Sequence, residues 1–100
     1  MSQLNIGIMG ASGRMGRMLI EATLNNPNTA LKGAFVRSIS SLIGADSGEF
    51  IGVNKTGVPL STITLDGVQA LIDFSLPEAL DEVLDACLAH KVPLVMGVTG

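Results

Sequence analysis

Three glycines at every third position form the segment whose spacing best suits binding of a phosphorylated ligand. Gly10, Gly13 and Gly16 follow a short apolar run and precede a helical pattern, with Ser12 at the place of the usual middle glycine of G-x-G-x-x-G. In dinucleotide-binding turns the first glycine allows the sharp turn, the second lets the backbone approach a pyrophosphate, and the third lets the helix pack closely on the sheet. The N–H groups and dipole of the helix N-terminus attract the anion. The pattern predicts a pyrophosphate-binding turn; the alternative is that the glycines only make a tight turn.

Within this turn, Gly13 and Arg14 carry the most specific expectations. A branched side chain at Gly13 is predicted to fill the space where the pyrophosphate approaches and to strain a backbone with positive φ. We therefore expect Gly13→Val to abolish cofactor binding while the protein stays folded. Arg14, in the first helical turn, adds positive charge.

The residues after the second apolar run indicate which dinucleotide is preferred. An NAD site usually has Asp or Glu about 20 residues after the glycines, whereas a nearby Arg accommodates the 2′-phosphate of NADP. Here Val36 takes that place, Arg37 follows it, and the next carboxylate is Asp46. An arginine can pair with a phosphate and stack on an adenine. The sequence predicts a preference for NADPH, with NADH still possible; the alternative for Arg37 is a solvated surface residue.

Short apolar runs alternating with helical patterns must position these residues. Strands are predicted at 4–9, 31–36, 70–74 and 92–96. Pro27 ends the first helix, and Ser75 with Glu78 forms a capping box before the second. Residues 37–65 are an irregular excursion that can accommodate a short helix and a short edge strand. The expected buried stripe is Met15, Met18, Leu19 and Ala22 in the first helix, and Leu80, Val83, Leu84, Cys87 and Leu88 in the second.

This alternation predicts an α/β fold, a Rossmann-like doubly wound parallel sheet. The four predicted strands leave one flank uncovered, and the last strand has no helix after it. We therefore interpret residues 1–100 as an incomplete NAD(P)-binding domain, truncated before a substrate domain.

Composition excludes several other classes. The net charge is −3 and the six basic residues are scattered, unlike the basic footprint of a nucleic-acid binder. No apolar run approaches the length of a membrane span. A single cysteine cannot form an intramolecular disulfide, and we expect a cytoplasmic protein.

Two residues invite a catalytic interpretation that their positions do not favour. His90 is predicted at a helix C-terminus, where its cation suits the dipole. Cys87 falls on a buried stripe, and a reactive thiol needs exposure. No metal-ligand spacing is present. Solvated carboxylates are expected on the second helix at Asp81, Glu82 and Asp85.

The chain resembles the dihydrodipicolinate reductase (4-hydroxy-tetrahydrodipicolinate reductase) family of bacterial lysine and diaminopimelate biosynthesis. The resemblance is collinear over essentially all 100 residues. It rests on the glycine turn at 10–16, on 41–44 with Asp46 and Gly48, on 55–58, on 72–75 with Pro77 and Glu78, and on 97–100.

The resemblance implies a nicotinamide dinucleotide as ligand, with Arg37 at the adenosine ribose. Val36 stands where dual-specificity members have Glu, and Leu76 where some members have Arg. The catalytic His-rich loop with its lysine, the substrate-binding sheet and the homotetramer interface are expected beyond Gly100. The fragment is therefore expected to bind substrate only with the missing domain, and to catalyse nothing alone. The implied cofactor-binding residues are Gly10, Ala11, Ser12, Gly13, Arg14, Met15, Gly16, Arg37, Phe74, Ser75, Gly97, Val98 and Thr99.

Two other functions fit the same turn. One is a free-standing nucleotide-binding or redox-sensing module, and the other is a different Rossmann oxidoreductase of epimerase-like or short-chain type. The short-chain enzymes use a Tyr-x-x-x-Lys pair, but this sequence contains no tyrosine. A downstream domain with a His-rich loop and a lysine would favour the reductase.

Overall fold

The computed structural model describes residues 3–74 and 80–96, which form a five-stranded sheet flanked by helices. The strand order is β3-β2-β1-β4-β5, and every neighbouring pair is parallel. The predicted Rossmann-like α/β fold is therefore confirmed. Its elements are β1 (Leu4–Met9), α1 (Arg14–Asn25), β2 (Thr29–Phe35), α2 (Ser47–Phe50), β3 (Leu60–Ser61), β4 (Ala70–Asp73), α3 (Leu80–His90) and β5 (Leu94–Met96).

β1 lies at the centre of the sheet because its last four residues are apolar or glycine and are buried. Strands buried on both faces have such continuous runs. Ile6 and Ile8 pack on the side of α1, while Met9 packs on the side of α3. The helices thus cover both faces of the sheet, and the strand order reverses at β1. In open α/β sheets, ligands bind outside the carboxyl ends of the strands at such a reversal.

The buried face of α1 differs from the predicted stripe. Gly16, Ile20 and Thr23 are the buried residues of this helix, whereas Met18 is 60% exposed. Met15 and Ala22 are exposed as well, and Leu19 is half-buried. The expected stripe was therefore wrong for three of its four residues, while Leu19 does pack against the core. The reason is that α1 approaches the sheet through Gly16, the position where a helix can come closest, and this contact sets the rotation of the helix.

The stripe predicted for α3 is correct only in part. Val83 and Cys87 are buried, while Leu84 is exposed and Leu88 is 77% exposed. Both exposed leucines line a cavity beside Leu94 of β5, a strand that pairs only with β4 among the described residues. The predicted solvated carboxylates of this helix are indeed exposed.

Strand bounds also shift from those predicted. β2 begins at Thr29, and only its last three residues are buried. β4 ends at Asp73, one residue early, and β5 begins at Leu94. The segment 37–65 does contain a short helix, α2, and a short edge strand, β3. The predicted capping box at Ser75 and Glu78 lies outside the described residues.

The helices of the described ranges were also compared with the requirements of a membrane span. None of them has the length and apolar composition that crossing a bilayer requires.

Candidate functional site

The glycine turn is fixed to the carboxyl end of β2 by its backbone. The N–H groups of Gly10 and Ala11 both donate to the carbonyl oxygen of Phe35, each at 3.0 Å. Gly10 has φ of 82°, a conformation that glycine adopts without the steric cost of a Cβ. The turn predicted at Gly10 is therefore present. It follows the carboxyl end of β1, the strand at which the strand order reverses.

Gly16 packs against the start of the same turn. A Cβ at this position would overlap the carbonyl oxygen of Gly10 and lie 2.7 Å from the Cα of Ala11. Only glycine lets the first turn of α1 approach the end of β1 this closely. The predicted packing role of Gly16 is confirmed; its contact with a cofactor stays a prediction.

Gly13 has a different reason to be glycine. It is the N-cap of α1 with φ −78° and ψ 172°, an extended conformation open to any residue. A Cβ would make an ordinary 3.4 Å contact with the Gly10 oxygen. The expectation of backbone strain in Gly13→Val was therefore wrong. Gly13 is exposed, and the space beside its Cα is open apart from the contact with Gly10. A ligand that approaches the turn would need this space.

The N-terminus of α1 offers hydrogen-bond donors to a ligand. No side chain caps it within residues 3–74 and 80–96, and its first turn contains no acidic residue. The N–H groups of the first helical turn have no partner inside a helix; here they belong to Arg14, Met15 and Gly16. Together with the positive end of the helix dipole they create a local environment that attracts anions. Arg14 is exposed and Ser12 is half-buried beside them.

Arg37 lies at the same edge of the sheet. Phe35, whose carbonyl holds the turn, precedes it by two residues. Val36 is buried, and its N–H donates to the carbonyl of Ser61 at 2.8 Å. Arg37 is exposed, and its backbone carbonyl accepts from the N–H of Ser40 at 2.9 Å. A buried valine and an exposed guanidinium thus stand where the second strand ends.

Phe74 joins this edge from the other side of β1. Its N–H donates to the carbonyl of Met9 at 3.1 Å, and its side chain is half-buried. The carboxyl ends of β1, β2 and β4 therefore converge at the glycine turn, with Arg37 and Phe74 on opposite sides. The other predicted contacts, Ser75, Gly97, Val98 and Thr99, lie outside the described residues.

His90 and Cys87 occupy the positions that the sequence predicted. His90 is the last residue of α3, and its Nδ1 lies 4.0 Å from Oδ1 of Asp66, a partner that was not foreseen. Asp66 precedes β4, so this pair is at the amino-terminal edge of the sheet, opposite the turn. Cys87 is buried; burial raises the pKa of its thiol, and the negative charge of Asp73 raises it further. Neither residue is placed to act at the turn.

Asp46 is the residue whose importance the sequence interpretation missed. Its carboxylate caps α2 and accepts hydrogen bonds from both sides of the loop that follows. Burial by itself would raise its pKa, but the N–H groups of Thr56, Glu49, Gly57 and Gly48 outweigh burial and lower that pKa to about 2. A signal existed: Asp46 followed three residues later by Glu49 is a helix-start pattern.

A cavity of about 440 Å³ opens at the other end of α1. Its lining includes Glu21 and Asn25 of the last turns of α1 together with residues 53–56. It shares no residue with the glycine turn, and we do not assign the dinucleotide to it. Within the two described ranges, His, Cys, Asp and Glu side chains form no group of three that could hold a metal ion.

Comparison with known structures supports the fold alone, because the identities are low. A dipicolinate-bound dihydrodipicolinate reductase from Paenisporosarcina sp. TG-14 superposes with a TM-score of 0.69 at 20% identity, over 98% of this chain and 38% of that one. An aspartate semialdehyde dehydrogenase with NADP from Candida albicans superposes with a TM-score of 0.77 at 11% identity, over 98% of this chain and 30% of the other.

Sequence comparison defines the family. The 4-hydroxy-tetrahydrodipicolinate reductase of Psychrobacter arcticus is 45% identical over 97% of this chain and 36% of its own length. That of Burkholderia mallei is 52% identical over 100% of the chain and 38% of its own length. The chain thus spans little more than a third of these relatives. Because residues 4–100 match the family described as dihydrodipicolinate reductase, N-terminus, the chain belongs to the dihydrodipicolinate reductase family.

Proposed function

We propose that this chain is the cofactor-binding part of an NADPH-dependent 4-hydroxy-tetrahydrodipicolinate reductase, acting in the cytoplasm in bacterial lysine and diaminopimelate biosynthesis. The observation that carries the proposal is the first turn of α1, whose N-cap Gly13 has no side chain to cap it. The glycine turn that leads into it is bonded to the carbonyl of Phe35, directly before Val36 and Arg37. The fold is compatible with such a ligand, because the Candida albicans dehydrogenase that shares it was solved with NADP.

The chain's own residues divide the binding between them. The first-turn N–H groups of α1 hold the pyrophosphate, and the absence of a Cβ at Gly13 lets it approach. Arg37 pairs with the 2′-phosphate, while the buried aliphatic Val36 offers no acceptor to ribose hydroxyl groups. Phe74, on the other side of β1 from Arg37, contacts the cofactor at the end of β4, and residues 97–99 contact it near the nicotinamide. When bound, the cofactor supplies the hydride, and the protein positions it.

The substrate, a cyclic imine or enamine-like intermediate derived from 4-hydroxy-tetrahydrodipicolinate, is assigned to the part of the relatives that this chain does not span. The same holds for the proton donor and the homotetramer interface. Hydride transfer requires the substrate to be held at reacting distance over the nicotinamide, and this positioning supplies a large part of the rate. The 100-residue chain is therefore expected to bind NADPH and to reduce nothing.

Calorimetric titration with NADPH and NADH tests the cofactor assignment. We expect NADPH to bind more tightly, and Arg37→Ala to reduce the preference by about 1.5–3 kcal/mol, the range for hydrogen bonds to charged groups. Lys32→Ala is the matched control, because Lys32 is exposed on β2 but lies upstream of its carboxyl end. Equal affinities for the two cofactors, or a preference for NADH, would contradict the assignment.

An absorbance assay of NADPH oxidation with freshly generated pathway intermediate tests the division of labour. The 100-residue chain is expected to give no turnover above background, and a chain of the relatives' full length that includes these residues is expected to turn over. Turnover by the short chain would refute the division. Cofactor binding without reductase activity in the full-length protein would favour a nucleotide-binding or sensing module.

A further inference from the structure

The carboxylate of Asp46 is surrounded by hydrogen-bond donors of its own chain. Oδ2 accepts from the N–H groups of Gly48 at 2.9 Å, Glu49 at 3.1 Å and Thr56 at 3.0 Å. Oδ1 accepts from the N–H of Gly57 at 2.8 Å and from Oγ1 of Thr56 at 3.4 Å. Asp46 is only 9% exposed. We refer to Asp46 with residues 48, 49, 56 and 57 as the Asp46 cage.

Glycine is required at two positions of the cage. A Cβ at Gly48 would overlap the carbonyl oxygen of Asn54 and lie 2.8 Å from Cγ2 of Thr56. Gly57 has φ of 80°, the left-handed region that side chains rarely adopt. Both glycines therefore let the 54–57 backbone fold over the carboxylate.

The cage holds the edge strand β3. The N–H of Ser47 donates to the carbonyl of Val58 at 2.9 Å, and Asp46 forms an antiparallel bridge with Pro59. β3 follows at once, and it contains only two residues that pair with β2. Strands of this length are not stable by their own pairing. The hydrogen bonds of the cage and of the adjoining residues therefore contribute much of the stability of β3.

β3 in turn holds both ends of the loop that carries Arg37. At the start of the loop, the N–H of Val36 donates to the carbonyl of Ser61 at 2.8 Å. At its end, the N–H of Gly44 donates to the carbonyl of Leu60 at 2.8 Å, and Leu60 N–H donates to Ala45 at 2.8 Å. Residues 37–43 between these points are therefore a loop closed by β3.

We propose that Asp46 is a positioning residue for cofactor selectivity: its cage fixes β3, β3 closes the 37–43 loop, and the closed loop presents Arg37 to the 2′-phosphate. This inference rests on the proposed function, because it needs Arg37 to meet that phosphate. Ordering a loop before the ligand arrives removes that ordering cost from binding. Loss of the cage should therefore weaken the binding of NADPH and leave NADH, which has no 2′-phosphate, nearly unchanged.

The test compares Asp46→Ala with Asp46→Asn, measuring dissociation constants for both cofactors and the circular dichroism spectrum of each variant. Asp46→Ala should weaken NADPH binding about tenfold, as expected for the ordering of an arginine and its loop, and NADH binding less than about twofold. Asp46→Asn, which keeps one carbonyl acceptor, should give an intermediate loss. Asp66→Ala is the charge-matched control, because Asp66 is exposed at the opposite edge of the sheet.

A double variant separates positioning from general stability. If Asp46 acts through Arg37, Asp46→Ala should cost NADPH binding almost nothing once Arg37→Ala is present. Equal weakening of both cofactors in a folded Asp46→Ala variant would show a merely structural role and overturn the proposal. If Asp46→Ala does not fold, the test uses Asp46→Asn and Thr56→Val, of which the second removes the hydroxyl that donates to Oδ1 of Asp46. The ratio of NADPH to NADH affinity is then compared between each variant and the unaltered chain.

The outcomes also separate this inference from the function on which it rests. If the unaltered chain shows no NADPH preference, or Arg37→Ala changes nothing, the cofactor assignment itself fails. If Arg37→Ala removes the preference while both Asp46 variants keep it, the assignment stands and the positioning role of Asp46 is wrong.

Discussion

Two regions of this chain gather backbone N–H groups, and they differ in whether the chain itself supplies an anion for those groups. At the Asp46 cage, the chain provides its own carboxylate, which caps α2 and accepts from both sides of the loop. At the glycine turn, α1 has neither a side-chain cap from the described residues nor an acidic residue in its first turn. At the Asp46 cage the backbone N–H groups stabilise the fold. At the glycine turn we propose that they bind a ligand.

The glycines of the two regions follow the same division. Gly16 and Gly48 are required by backbone packing, since a Cβ at either position would overlap a carbonyl oxygen. Gly13 is required by neither packing nor conformation. A glycine that the fold does not need, at the exposed start of α1, is expected of a turn that binds a phosphorylated ligand and is not expected of a turn that is merely tight.

The largest expected effect is that of Gly16→Ala. The added methyl group must displace the backbone of Gly10 and Ala11, and overpacking of this kind costs about 3 kcal/mol of unfolding free energy. Urea denaturation followed by circular dichroism measures it. Gly13→Ala adds the same methyl group three residues earlier and should cost no more than about 1 kcal/mol. Similar losses for the two variants would break the distinction between the glycines.

A smaller effect, on binding rather than folding, is expected for Gly13→Val. With φ of −78° the backbone tolerates valine, so the variant should melt close to the unaltered chain. Its branched side chain fills the approach to the first-turn N–H groups, and NADPH affinity should fall by at least about tenfold, which is roughly 1.4 kcal/mol, and at most to the complete loss of binding. Unchanged NADPH affinity in the folded variant would mean that the turn is only structural.

The cage and the turn should also respond differently to acid. The pKa of Asp46 is lowered from 3.8 to about 2. The ionised carboxylate therefore contributes fully to the stability of the fold above pH 3.8, and this contribution is lost as the pH falls towards 2. A change of pH near neutrality is expected to leave the contribution unchanged. Acid titration of the circular dichroism signal should show a component between these values that is missing in Asp46→Asn. An identical acid transition in both proteins would show that the cage does not depend on the charge.

The sharpest contrast between what could and could not be predicted lies along α1. Its existence and its start after Gly13 follow from the spacing of apolar residues and glycines over three or four positions. Its rotation does not, because only Leu19 of the four predicted apolar residues packs against the core, and Gly16 allows the closest approach to the sheet. Met18 is exposed as a result, and Thr23 is buried. Periodicity measures how apolar a face is, not how near the partner backbone can come.

Sequence patterns predict the alternation of strands and helices, the turn at 10–16 and the succession of Val36 and Arg37, because each depends on residues close together in the chain. Long-range contacts are needed to show that Asp46 closes a cage with residues ten and eleven positions later, and that β3 closes the Arg37 loop. The donors in those contacts are backbone N–H groups, which every residue type except proline carries. No pattern of side chains announces them, and only the folded path of the chain brings their donors and acceptors together.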